Sequence, residues 1–65
     1  EMNAREAIEM AIEYEAQARD RYLDLAAKLA EDGETRLLLE QIAREEDSHL
    51  KRLTERLKAL KLMDI

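Results

Sequence analysis

Apolar residues recur every three or four positions along two long stretches of this chain, and one Asp32-Gly33 pair separates them. That spacing is the period of an α-helix with one buried face. No Pro interrupts either stretch, and Gly33 is the single glycine. Gly tolerates the left-handed conformation that commonly closes a helix, and Asp32 can cap the helix that follows. The expected elements are helix one over about 4–31 and helix two over about 34–62. Asn3 followed by Glu6 fits a capping pattern at the first start, with Asn in place of the usual Ser or Thr. So short a connection makes the helices antiparallel neighbours. The expected fold is all-α, with residues 1–65 forming one antiparallel two-helix hairpin.

A chain of 65 residues buries little core by itself and usually needs disulfides, a metal or a partner. There is no Cys, which removes disulfides and thiolate metal sites. Metal held through oxygen and imidazole, self-association, or both remain. The formal net charge of -5 and the lack of a basic stripe argue against nucleic acid. The longest aliphatic run is Leu37, Leu38 and Leu39, far short of the ~20 apolar residues of a membrane span. No signal peptide is apparent, so a soluble, cytoplasmic protein is expected.

The inward face of helix one runs Ala4, Ile8, Ala11, Glu15, Ala18, Tyr22, Leu25 and Leu29, flanked by Ile12, Tyr14 and Ala26. That of helix two runs Leu39, Ile42, Glu46, His49, Leu53, Leu57 and Leu60, with Leu38, Ala43 and Leu50 alongside. Two helices paired along one seam leave part of each apolar face open. Four helices close such a core, so two hairpins dimerising into a four-helix bundle is the simplest expectation, with a larger homo-oligomer as the alternative. Met10 and Leu37 look outward, either as stray surface residues or as contacts between dimers.

Glu15, Glu46 and His49 occupy seam positions where the pattern calls for Leu or Ala. Buried unpaired carboxylates are costly and require partners or a metal. Counted from Gly33, Glu15 lies 18 residues back, Glu46 lies 13 on and His49 lies 16 on. At about 1.5 Å per residue the three share a level within roughly two helical turns. Glu46 and His49, three apart, project from one face. Two chains would offer four carboxylates and two imidazoles, which balance two divalent cations. Oxygen and imidazole donors suit iron or manganese, and zinc as well. Singly, each residue has an ordinary explanation: a seam Glu pairs with Arg or Lys, and a His near an apolar face hydrogen-bonds. Their common height and matching charge favour one metal site, with Glu15, Glu46 and His49 as ligands. The same donor inventory serves ferritin-like di-iron bundles.

Here the chain resembles the rubrerythrins of the ferritin-like superfamily. The resemblance rests on Glu15-Ala16-Gln17-Ala18-Arg19-Asp20-Arg21-Tyr22, continued by Leu25-Ala26, and on Ile42-Ala43-Arg44-Glu45-Glu46-Asp47-Ser48-His49. By that likeness Glu15 is a terminal ligand, Glu46 bridges two metals and His49 is a terminal nitrogen ligand. Tyr22 matches a family tyrosine that hydrogen-bonds near the site, or packs in the core with its hydroxyl on a carboxylate. Arg19 and Arg21 are expected at the flanks of the seam, solvated or in salt bridges. Glu45 and Asp47 are expected at the surface rather than orienting the ligands. The resemblance implies two iron ions per dimer, oxygen or hydrogen peroxide as oxidant, and an external electron donor. The chain departs from the family in three respects. It carries one half-bundle, it has no Cys-rich rubredoxin-like domain, and Ala18 stands where some family members have an extra carboxylate.

Three functions are expected from these features. The first is a non-haem di-iron oxidoreductase acting on ferrous iron with oxygen or hydrogen peroxide, with its site shared between two chains. The second is a metal-stapled structural module, a minimal or engineered helical-bundle assembly unit without turnover. The third is a metal-free interaction domain whose seam polar residues set register.

Overall fold

The structure is a computed structural model that describes residues 1–29 and 31–63. Ala30, Asp64 and Ile65 lie outside the described residues, and with Ala30 so does part of the expected end of helix one. Among the described residues the fold is an all-α hairpin of α1 (Ala4–Ala27) and α2 (Gly33–Met63).

Asn3 starts α1 in an extended conformation, its side-chain oxygen accepting the Glu6 backbone N–H at 2.8 Å. Its carbonyl accepts the Ala7 N–H at 3.0 Å. The first bond satisfies a donor that has no partner within the first turn of a helix, and the second is the first regular bond of the helix. The end of α1 lies four residues before the expected one. Lys28 donates to the Leu25 carbonyl at 3.1 Å and Leu29 donates to the Ala26 carbonyl at 3.1 Å. These bonds to the third residue back tighten the last turn. Lys28 sits at φ -81 and ψ -8, so no left-handed residue is needed there.

Gly33 accordingly does not close α1. It is the first residue of α2, and its φ is not positive. Asp32 is the capping residue, as expected. One of its carboxylate oxygens accepts the Thr35 backbone N–H at 3.1 Å and the other accepts the Thr35 hydroxyl at 2.9 Å. The Arg36 N–H reaches the Asp32 carbonyl at 2.9 Å. These three bonds hold Asp32 to the first turn of α2.

The hairpin measures 53 × 20 × 11 Å, and its shortest dimension is about one helix diameter. A single layer gives each helix one neighbour, so Ala26 (3% exposed) and Ala43 (1%) are the buried core residues among those described. This reverses one detail of the expected seam, because Leu25 is exposed and the flanking Ala26 is buried. Alanine lets the two helices approach closely, whereas a leucine at that point would hold them apart. Ile8, Ala11, Ile12 and Tyr22 of α1 are half-buried, and so are Leu39, Ile42, Leu50, Leu53, Leu57 and Leu60 of α2.

One broad side of the layer is apolar and open. Ile8, Ala11, Glu15, His49 and Leu53 line a single groove there. At about 100° per residue, Tyr14, Ala18 and Leu25 fall on the same side of α1 as Ala11. Leu38 and Ile42 fall with His49 on α2. Tyr14, Leu25 and Leu38 are large apolar side chains exposed on this side.

Candidate metal centre

Glu15 comes from the middle of α1, and Glu46 and His49 come from the middle of α2. Antiparallel packing brings together positions 34 residues apart in sequence. His49 Nδ1 lies 3.1 Å from Glu15 Oε2 and 3.3 Å from Glu46 Oε1. One donor atom from each residue falls within 4.8 Å of the other two. The structure therefore brings together the three residues that the sequence placed at one height. They are graded in exposure: Glu46 is the most withdrawn, with its side chain 14% exposed, against 31% for Glu15 and 42% for His49. The opening faces the apolar side of the hairpin.

The two carboxyl groups are hydrogen-bonded to each other, and their affinities for a proton diverge. Glu46 is raised above the ordinary carboxyl value, first by its hydrogen bond to Glu15 and then by burial and the Glu15 charge, with His49 opposing. Glu15 is lowered, first by the hydrogen bond from Glu46, then by that from His49, with burial opposing and the charge of His49 assisting. Two adjacent carboxyl groups cannot both ionise cheaply, so one retains a proton and donates it to the other. Here Glu46 is the weaker acid of the pair and Glu15 the stronger.

That donor set fits a divalent cation. Two carboxylates and an imidazole are the hard-oxygen and nitrogen donors that iron, manganese and zinc accept. A divalent ion would compete with protons for Glu46 and offset the Glu15 charge that helps to raise its pKa. Three donors from one chain fall short of a complete shell for two ions.

The neighbouring residues are placed as follows. Tyr22 is half-buried seven positions after Glu15 on the same helix, and among the described residues its hydroxyl is bonded to none of the three donors. Arg19 forms a salt bridge across the hairpin to Asp47 at 3.0 Å and a second to Asp20 at 3.2 Å. Arg19 thus ties α1 to α2 close to the site, and Asp47 serves that tie. Arg21 is exposed, and Glu45 is exposed and accepts a long hydrogen bond from Gln41 at 3.5 Å. Sequence reasoning did not single out Arg52 and Arg56, which line the groove with Glu15 and His49. Their spacing from His49, three and seven positions, is the signal that could have found them.

Residues 6–65 match the family model described as Rubrerythrin. The chain belongs to the rubrerythrin family. No curated protein and no solved structure gives a significant match. The rubrerythrin match spans both helices and includes all three donors. Ala18 lies one helical turn beyond Glu15, where a further carboxylate would stand in some rubrerythrins, and it is half-buried. Among the described residues of this rubrerythrin chain, no helix is long and apolar enough to cross a membrane.

Proposed function

We propose that this chain is a non-haem di-iron protein that works as a homodimer and oxidises ferrous iron with oxygen or hydrogen peroxide. The observation that carries the reading is the Glu15, Glu46 and His49 group, open on the apolar side of a one-layer hairpin. A second hairpin laid on that side would cover Tyr14, Leu25 and Leu38. It would also bring the donors to four carboxylates and two imidazoles, enough to balance two divalent cations. Two ferrous ions supply the two electrons that reduction of a peroxide O–O bond requires.

The protein's own groups have separable tasks. Glu46, the most withdrawn carboxyl, would hold the metal together with Glu15 and His49, and its raised proton affinity sets metal binding against protonation. Glu15 is already ionised at neutral pH and is the first charge that an entering cation meets. His49 presents Nδ1 to both carboxylates and would supply the nitrogen ligand. The leucines and Ala11 around the groove keep water away once the face is covered.

The experiment is anaerobic loading of the full chain with ferrous iron, followed by elemental analysis and native mass determination. The expected result is two iron ions per dimer, with oxidation on adding oxygen or peroxide faster than that of free iron. Unchanged stoichiometry in Glu46→Ala would refute the site. The metal-stapled module without turnover is favoured by one observation, that among the described residues two alanines alone are buried, which makes a metal valuable for stability alone. Iron bound in full with no oxidation above the free-ion rate would establish that reading instead.

A further inference from the structure

Beside the donor group, one set of side-chain bonds crosses from α1 to α2 at the same height among the described residues. Arg19 Nη1 donates to Asp47 Oδ1 at 3.0 Å, and Arg19 Nε donates to Asp20 Oδ1 at 3.2 Å. Arg19 stands four residues after Glu15, about one helical turn, and Asp47 directly follows Glu46. Arg19 is rotated ~40° around α1 from Glu15, and Asp47 ~100° around α2 from Glu46. Both rotations lead away from the open groove, and neither residue lines it. The tie therefore closes the hairpin behind the donor group, which opens on the other side.

The tie also stands where packing is weak. Ala43 lies about one turn nearer the hairpin turn than Glu46, and Ala26 about three turns nearer it than Glu15. From the donor group to the open end of the hairpin no described residue is buried. The half-buried Ile8, Ile12, Leu50 and Leu53 resist rolling of α2 only weakly. Roll matters at this point. A donor atom ~5–6 Å from the helix axis moves ~1 Å for every ~10° of roll, whereas metal–ligand distances hold to within about 0.2 Å. The bonds inside the donor group cannot fix the roll for an ion, because an entering ion replaces them. The Arg19 bonds remain. With Nε held by Asp20, the planar guanidinium presents Nη1 to Asp47 in one direction.

We propose that Arg19, oriented by Asp20 and paired with Asp47, positions the donor group by fixing the roll of α2 against α1, so that Glu46 and His49 meet Glu15 at ligand distance. Its effect on ions rests on the di-iron reading above, and its effect on the donor group does not. Charge separates positioning from plain electrostatics. Loss of Arg19 removes a positive charge near the centre, which by charge alone tightens cation binding. Loss of Asp47 removes a negative charge, which by charge alone loosens it. If the pair positions the ligands, both losses loosen it.

The test uses the full chain with Arg19→Ala, Asp47→Ala and the double variant. Alanine raises helix propensity at both positions, and circular dichroism at the working temperature checks helix content. Zinc affinity is measured by competition with a chromophoric chelator, and the visible spectrum of the cobalt-loaded protein reads ligand geometry. Each single variant binds zinc about ten-fold more weakly than the parent and shifts the cobalt bands. The double variant falls within about two-fold of either single, because the pair acts as a unit. Arg19→Lys keeps the charge, loses the fork and falls between; with Asp47→Ala it carries the test if Arg19→Ala loses helix content. In the metal-free protein the His49 ring nitrogen resonances move in the same direction in both single variants, as the 3.1 Å contact with Glu15 loosens. Zinc affinities that shift in opposite directions, or affinities and resonances equal to the parent's, overturn the positioning role and leave the di-iron reading standing. A parent that binds neither zinc nor iron overturns the di-iron reading, and the His49 resonances then decide the positioning role by themselves.

Discussion

The sharpest consequence of the donor geometry concerns stability. With Ala26 and Ala43 as its buried core, the hairpin draws little from burial, and a bound ion becomes a large fraction of what holds it folded. At free metal one hundred-fold above its dissociation constant, binding adds about 2.7 kcal/mol per site. For a chain of this size 1 kcal/mol moves the midpoint by about 4–8 °C, so one ion per chain raises Tm by roughly 11–22 °C. Glu46→Gln isolates the metal's share. The amide can donate to Glu15 as the protonated carboxyl does, so the metal-free protein should melt within about 2 °C of the parent. It is a poor ligand, so the metal increment should largely vanish. The assay is thermal unfolding by circular dichroism at fixed chain concentration, with ferrous ion under nitrogen or with chelator. A parent protein indifferent to metal would refute the reasoning, as would a Glu46→Gln chain that keeps the full increment.

Other expectations follow from the same geometry. In the metal-free protein the raised Glu46 favours folding below its unfolded value, and that contribution is lost as pH rises through its folded value. The lowered Glu15 favours folding above its unfolded value and loses that contribution as pH falls through its folded one. Carboxyl NMR titration should show the two residues on opposite sides of the ordinary range, and Glu15→Gln should bring Glu46 back down. Metal affinity should strengthen with rising pH until Glu46 is deprotonated, which calorimetry in buffers of different ionisation enthalpy will detect as proton release. Asp32→Ala removes both bonds to Thr35 and should cost about 1 kcal/mol, roughly 4–8 °C in Tm. Gly33→Ala meets open space at the new Cβ and no positive φ, so thermal unfolding should show a gain of about 0.4–1 kcal/mol.

Both helix starts were legible in the sequence because Asn3 and Asp32 act through local bonds that depend on residue type. The donor group was legible because a carboxylate on an apolar seam stands out against its neighbours, and height follows from counting residues. The end of α1 was not legible. Its last turn tightens through backbone bonds at Lys28 and Leu29, which ask nothing special of either side chain, while Gly33 drew attention as the conspicuous turn residue. The exchange of Leu25 for Ala26 has a different cause. The apolar arc of α1 is wide enough for two contacts, one with α2 and one on the open side, and periodicity alone does not divide it. Only the burial of Ala26 and Ala43 in the folded hairpin shows that the alanines take the side facing the other helix.

The half-open placement of Glu15, Glu46 and His49 also bears on how such a site can change over generations. In the proposed pair of identical chains every substitution would be made twice, once on each side of the ions. A carboxylate introduced at Ala18 would arrive as two, adding two negative charges to a balanced set. One ion could not be tuned without the other. Two gene copies, separate or joined end to end, would free the halves to diverge and make an inequivalent pair of metals accessible.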